Sequence, residues 1–171
     1  MQAIEECSLL PITAVEFFKD KILAGEGPVL KVYSGSRVLA AARVFKSQAI
    51  HGITIYDVSD KRKLFLVWGG RFGRFVQLHH KSNVPTDANI SFHLSEVVEL
   101  TDWILDAAFV PIEAEDAPDA CPSVGVVTAH NALLIVRPKT YSSDHRSFAS
   151  KIESYVGYAL SSSERHFQSM F

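Results

Sequence analysis

Histidines and acids are the first residues to test for a metal site in this 171-residue chain. His79 and His80 are adjacent, so in a strand they would point to opposite faces and could not easily bind one metal ion. Asp87 and His93 would join them only if the chain folded back on itself. The spacing therefore predicts no metal site.

The glycine-rich and serine-rich segments lack the spacing that catalysis needs. Gly25-Glu26-Gly27 and the segment 69–73 (GGRFG) fit neither GxGxxG nor a P-loop, and each lies between two predicted strands. Ser34-Gly35-Ser36 lacks the frame of a nucleophile elbow. No nucleophile, carboxylate pair or metal cluster has adequate spacing, so we expect no catalytic residue and no cofactor on this chain.

Basic residues next to aromatic ones are the candidate RNA contacts. Arg71 and Arg74 alternate with aromatic residues after Trp68, and together with Lys46 they could combine phosphate contacts with stacking on bases. The same aromatics also alternate as core residues would. With 17 Lys and Arg against 19 Asp and Glu, the chain is not a strongly basic nucleic-acid binder, so any RNA contact must be a local patch.

The elements that would position these residues are predicted to be strands. Short runs of β-branched and aromatic residues, broken by turns every 8 to 12 residues, indicate an all-β architecture. Grouped by fours, the first strands begin near Ile12, Ile50 and Trp103, at offsets of 38 and 53 residues. Propeller blades repeat at ~40 to 45 residues. We therefore predict about three four-stranded propeller blades, with the last sheet, 103–137, incomplete.

Two loops and a tail complete the predicted organisation. The polar segment 79–89 reads as a hairpin extension in the second blade, and the acidic segment 113–122 as a solvated loop in the third. Residues 1–138 would form the blades, and 139–171 a poorly ordered divergent tail in which 150–160 is a short helix or strand. No apolar run is long enough to span a membrane, and the start is not basic, so we expect a cytoplasmic protein without membrane insertion.

Alternation along the strands predicts which side chains are buried. In the first strand we expect Val15 and Phe17 to face inward while Glu16 faces out. An incomplete third blade would leave Leu105, Phe109 and Leu133 with only part of their packing.

Five ordered segments resemble one family. They are Leu23–Tyr33 (LAGEGPVLKVY), Arg43–Ile53 (RVFKSQAIHGI), Val67–Arg71 (VWGGR), Asp102–Phe109 (DWILDAAF) and Val127–Leu134 (VTAHNALL). In this order they resemble the N-terminal part of the WD-repeat partner protein of the eukaryotic, fungal-type tRNA 2′-O-ribose methyltransferase that acts at the anticodon wobble position. The resemblance covers residues 10–136 and implies a partial WD40-type β-propeller.

The resemblance also implies a function. It implies a non-catalytic scaffold that binds the catalytic subunit of the tRNA methyltransferase, with S-adenosylmethionine on that partner and tRNA contacted through the complex. A general protein-interaction propeller in endosomal recycling or membrane traffic is the alternative. The generic GH and WD dipeptides are absent, and the chain stops where further blades should follow, so we expect a truncated fragment.

Structural braces between strands are the last expectation that follows from the resemblance. Six residues should be mostly buried and hydrogen-bonded: His51, Trp68, Asp102, Asp106, His130 and Asn131.

Overall fold

The computed structural model describes residues 10–59, 62–80, 90–110, 122–138 and 152–159. All regular elements in these ranges are strands, as predicted. They are β1 (Ile12–Phe18), β2 (Lys21–Glu26), β3 (Val29–Ser34), β4 (Arg37–Arg43), β5 (Gly52–Ser59), β6 (Arg62–Gly69), β7 (Phe72–His80), β8 (Ile90–Glu99), β9 (Ile104–Phe109), β10 (Val124–Thr128), β11 (Ala132–Pro138) and β12 (Ile152–Ala159).

The strands form three four-stranded antiparallel sheets, each built from four consecutive strands. Tight turns make these consecutive pairings possible. Gly27 between β2 and β3 has a φ of 53°, and Gly70 between β6 and β7 has a φ of 57°. This left-handed conformation costs glycine little because it has no Cβ.

The three sheets pack side by side with their first strands adjacent. Strand β5 contacts both β1 and β9, and β4 contacts β8. Each of the first two sheets therefore faces the next one, which is the arrangement of neighbouring propeller blades.

Two apolar cores lie between the sheets. The first sheet and one face of the second bury a cluster that includes Leu23, Leu30, Phe65 and Val76. The opposite face of the second sheet and one face of the third bury a second cluster, which includes Leu64, Leu66, Phe75, Val126 and Leu134. Because the middle sheet is buried on both faces, its strands β6 and β7 are apolar on both sides.

The third sheet has four strands, so the prediction that it would be incomplete is wrong. Strand β12 pairs antiparallel with β11, from Ala132 opposite Ala159 to Pro138 opposite Ile152. This pairing gives β11 a partner for backbone groups that would otherwise form a free edge. The two partners are separated by residues 139–151, so no tight-turn signal joins them in the sequence. Residues 139–151 and 160–171 of the predicted tail, and most of both predicted loops, lie outside the described residues.

Two predicted side-chain orientations are also wrong. Val15 and Phe17 are 50% and 66% exposed, while Ala14 and Phe18 of the same strand pack into the first core. Side chains alternate along β1 as predicted, but the buried and exposed faces are exchanged, because the second sheet covers the face opposite to the predicted one.

In the third sheet Leu105 and Leu133 are 60% and 37% exposed, as expected, but Phe109 packs on Tyr56 at 5.4 Å between ring centroids.

Candidate functional site

The turns at one end of the sheets repeat a hydrogen bond. In each sheet the turn between the second and third strands donates a backbone N–H to the segment that enters the same sheet. The three bonds are Gly27 N to Pro11 O (3.2 Å), Gly70 N to His51 Nδ1 (3.2 Å) and His130 N to Asp102 Oδ2 (2.8 Å). We call these three turns and the entering segments the linker rim.

A second set of bonds connects each turn to the following sheet. Ile50 N donates to Gly27 O, and Ile104 N donates to Gly70 O, both at 2.8 Å. Each of these two glycines therefore binds its own entering segment through its N–H and the next one through its carbonyl. Each of these glycines is bonded on one side to its own sheet and on the other side to the next sheet. The two bonds therefore hold the adjacent sheets in a fixed relative position.

Asp102 has the most hydrogen bonds of the linker rim in the described part of the chain. Its carboxylate accepts from the N–H of Trp103 (2.7 Å), the N–H of His130 (2.8 Å) and Nδ1 of His130 (3.0 Å). Burial opposes the charge, but hydrogen bonds from the His130 backbone, the His130 ring and the Trp103 backbone outweigh it and lower the pKa of Asp102 below its ordinary value of 3.8.

The predicted braces are less buried than expected. Trp68 is buried at 5% exposure, and the side chain of Asp102 is 17% exposed. Four others are exposed, so their predicted burial is wrong: His51, Asp106, His130 and Asn131. His51, His130 and Asn131 lie in turns and entering segments at the end of the sheets, where side chains reach solvent, and Asp106 lies in β9.

Their hydrogen bonds differ as well. His51 and His130 connect a turn to an entering segment, whereas the one bond of the Asp106 carboxylate within the described ranges comes from the adjacent Ala107 N–H. Asn131 has a φ of 60° and donates its backbone N–H to Thr128 O at 3.0 Å. A bracing role for these residues stays a prediction that stability measurements can test.

The sequence reasoning missed an exposed pair of aromatic rings. Trp103 is 57% exposed and stacks on His51, with ring centroids 6.3 Å apart and planes at 29°. We call this pair the aromatic platform. No local signal joins the two residues, because they belong to segments entering different sheets.

Hydrogen bonds hold both sides of the platform. The backbone N–H of Trp103 donates to Asp102 Oδ1, and its carbonyl accepts from Ala129 N at 2.9 Å. His51 is held through Nδ1 by the N–H of Gly70, so in the neutral ring the proton is on Nε2. These bonds fix the backbone of Trp103 and the orientation of the His51 ring.

Arg74 has an internal role. Its Nε donates to Ser95 O at 2.5 Å and its Nη1 to Val44 O at 2.7 Å, which joins β8 to the segment between the first two sheets. Burial lowers the pKa of the guanidinium. A guanidinium directed at two carbonyls of its own chain has fewer donors left for phosphate than the sequence suggested.

The other two RNA candidates are more accessible. The Arg71 guanidinium is about half exposed and forms a 2.7 Å ion pair with Glu99, and it also lies 5.8 Å from the Phe72 ring centroid. Lys46 is exposed, and its carbonyl accepts from Arg43 Nη1 at 3.0 Å. Arg74 contacts the segment 44–50 that contains Lys46, whereas Glu99 offsets the charge of Arg71.

A buried carboxylate elsewhere is fully engaged. Glu26 is 1% exposed, forms a 2.7 Å ion pair with Lys31 and accepts a hydrogen bond from the Tyr33 hydroxyl. Burial and this hydrogen bond raise the pKa of Tyr33, and the hydrogen bond with Glu26 raises the pKa of Lys31. The cluster is a satisfied polar network on the outer face of the first sheet.

Other chemistry-bearing groups do not converge. Within the described ranges no three His, Cys, Asp or Glu side chains are grouped as metal ligands would be. The rings of His79 and His93 meet edge to face at 4.6 Å, and Asp87 lies outside the described residues. The same ranges hold no helix with the length and apolarity that a membrane crossing requires.

The arrangement of the sheets defines the fold class of the chain. Three four-stranded antiparallel sheets with adjacent first strands form part of a WD40-type β-propeller. In agreement, the chain is similar to the WD40 domain of SCAP from fission yeast, with a TM-score of 0.55 and 8% identity over 91% of this chain and 33% of that one.

A regulator protein is similar in sequence. The chain is 26% identical to the tRNA (34-2′-O)-methyltransferase regulator WDR6 of Rattus norvegicus over 152 residues. The alignment covers 80% of this chain and 12% of the rat protein, so the chain spans a small part of that relative's length. No protein-family model matches the chain.

Proposed function

We propose that this chain is part of a non-catalytic WD-repeat scaffold that supports 2′-O-ribose methylation of tRNA at the anticodon wobble position. The observation that carries the proposal is the similarity to the rat regulator, which covers 80% of the chain. The fungal character of the chain and its origin as a fragment of a longer scaffold remain part of this proposal.

The geometry is suited to a scaffold. Backbone hydrogen bonds through Gly27 and Gly70 lock each sheet to the next, and the exposed residues of the linker rim, such as His51 and His130, are available to a partner. In the proposed complex the catalytic subunit binds S-adenosylmethionine and performs the transfer, while this chain positions that subunit in the cytoplasm. Contacts with tRNA arise through the complex, and Lys46, whose side chain is exposed, is the basic residue that we propose to contribute to them.

Deleting the gene region that encodes this chain tests the proposal. We expect ribose methylation at tRNA position 34 to fall while 2′-O-methylation at other tRNA positions remains, because only the wobble-directed enzyme depends on the scaffold. Methylation at each position is read by ribose-specific chemical sequencing, and re-expression of the wild-type gene is the control. Unchanged methylation at position 34, together with a defect in endosomal recycling, would replace the proposal with the membrane-traffic alternative.

A further inference from the structure

Two exposed cations lie together where the chain leaves the first sheet. Arg43 ends β4, and its Nη1 donates to the carbonyl of Lys46 at 3.0 Å, so the guanidinium is held beside Lys46. Both side chains are exposed. Ser47 comes next, is also exposed and carries a hydroxyl donor. We call Arg43, Lys46 and Ser47 the basic corner.

The backbone between the two cations is anchored to both of the first two sheets. The N–H groups of Val44 and Phe45 donate to Pro28 O, at 2.9 and 3.3 Å. The Val44 carbonyl accepts from Arg74 Nη1 at 2.7 Å. Val44 and Phe45 are themselves buried, at 0% and 3% exposure. The backbone of the basic corner is therefore held, while its three side chains reach solvent.

The charges of the basic corner are unpaired within the described residues. Neither Arg43 nor Lys46 has an ion-pair partner there, although ion pairs bind four other basic residues, Lys21, Lys31, Lys63 and Arg71. The guanidinium of Arg74, bonded to Val44 O, adds a third positive charge behind the segment. Unpaired positive charge at a surface raises the local concentration of anions. An external anion is therefore the ligand that this corner favours.

The available donors suit a phosphodiester. Because Nη1 of Arg43 is bonded to the Lys46 carbonyl, Nε and Nη2 remain as two parallel donors for the oxygens of one phosphate. Lys46 adds a point charge beside them. A membrane surface is recognised by clusters of about 4 to 8 basic residues or by inserted apolar side chains. Here the exposed cations are two, and the apolar residues of the segment are buried.

We propose that the basic corner binds the phosphodiester backbone of tRNA. Arg43 donates from Nε and Nη2 to two oxygens of one phosphate, and Lys46 and the Ser47 hydroxyl are further donors. Arg74 is a positioning residue that holds Val44. The inference rests on the proposed function and extends it, because it gives the tRNA contact a second cation, Arg43, that the sequence did not single out.

The test measures how tRNA affinity depends on salt. The gene product that contains this chain is purified as wild type, Arg43→Gln, Lys46→Gln and the double variant, and each is titrated with tRNA between about 50 and 200 mM salt. Each lost phosphate contact should make the slope of log K against log salt shallower by about 0.7 to 0.9. The double variant should lose about twice as much. Arg71→Gln is the control, and it should leave the slope unchanged because Glu99 already offsets that cation.

A second variant separates charge from geometry. Arg43→Lys keeps the charge and loses the two parallel donors, so it should weaken tRNA binding while keeping the wild-type slope. Melting curves check that the variants fold. If Arg43→Gln melts at a lower temperature, Lys46→Gln alone decides, because the Lys46 side chain has no bond within the described residues.

The possible results decide between the basic corner and its alternatives. Shallower slopes with unchanged melting curves support the inference. It fails if the wild type does not bind tRNA, or if both glutamine variants keep the wild-type slope. If they bind tRNA normally but lose the catalytic subunit, the corner is a protein contact and the inference is overturned. The proposed function is judged separately, by methylation at position 34 after deletion, so the two can fail independently.

Discussion

At the scale of single residues, polar side chains of this chain connect segments distant in sequence. Asp102 joins the entry of the third sheet to the turn at His130, and Arg74 joins β8 to Val44. Charged groups form stronger hydrogen bonds than neutral ones, particularly when they are partly buried. These two side chains are therefore the ones whose substitution should be most informative.

Asp102→Asn should lower the melting temperature at pH 7, because a neutral amide accepts the three N–H bonds less strongly. The pKa of the folded carboxyl lies below 3.8, so its contribution is fully present above that value and is lost as the pH falls through the folded pKa. The difference from wild type should thus be large at pH 7 and shrink below about pH 4. Asp106→Asn, which loses only a bond to Ala107, is the control. An equal difference at pH 7 and pH 3 would refute this explanation.

Arg74→Lys should lower the free energy of unfolding by roughly 1 to 3 kcal/mol, because one ammonium cannot reach both carbonyls that the guanidinium binds. Urea denaturation measures the change. Arg71→Lys is the matched control, and its exposed ion pair predicts a change within about 0.5 kcal/mol. Unaltered stability of Arg74→Lys combined with weaker tRNA binding would reinstate Arg74 as a phosphate contact.

At the scale of elements, close backbone approaches determine how a sheet meets the segment beside it. A Cβ on Gly69 would lie 1.9 Å from Ala49 O, and one on Gly52 would lie 2.1 Å from Trp68 Cζ2. The first approach holds the segment between sheets one and two against the end of β6. The second lets the Trp68 indole pack directly against the start of β5.

Gly69→Ala should be destabilising by about 1 to 3 kcal/mol, since the contact is with backbone that must shift to admit a methyl group. Gly125→Ala is the control within another strand, where the nearest atom, Leu133 Cδ1, would be 3.8 Å from the new Cβ. That substitution should change stability by less than about 1 kcal/mol. Chemical denaturation measures the change in the free energy of unfolding for both variants. Equal changes would show that the close approach of Ala49 does not exclude a side chain at position 69.

At the scale of the whole molecule, the two outer faces of the three-sheet array expose apolar side chains. Val15 and Phe17 lie on the outer face of the first sheet, and Leu105, Val127 and Leu133 on that of the third. In a propeller such faces pack on neighbouring blades. Exposed contiguous apolar faces promote association.

The 171-residue chain purified by itself should therefore self-associate as its concentration rises. Leu105→Glu places a charge on the outer face of the third sheet and should increase the monomer fraction in sedimentation velocity experiments. Ser47→Glu adds the same charge to the exposed segment between the first two sheets and should have little effect. A wild-type chain that stays monomeric with a sharp cooperative melt would show that these faces are not adhesive.

The sequence by itself determined the local features of the protein. Turn residues and apolar runs predicted four-stranded blades whose first strands begin near Ile12, Ile50 and Trp103, and the structure begins these strands at Ile12, Gly52 and Ile104. Strand propensity, turn chemistry and strand alternation act between near neighbours, so they are readable from a short window.

The tertiary structure decided what depends on contacts between distant segments. It determined which face of β1 is buried, because whether Ala14 or Val15 is covered depends on where the second sheet packs. It paired β12 with β11 across residues 139–151 and directed Arg74 to Val44. It also brought Trp103 onto His51, two residues with no local pattern in common. Each of these outcomes is fixed by packing and hydrogen bonding between sheets, which no local pattern of residues encodes.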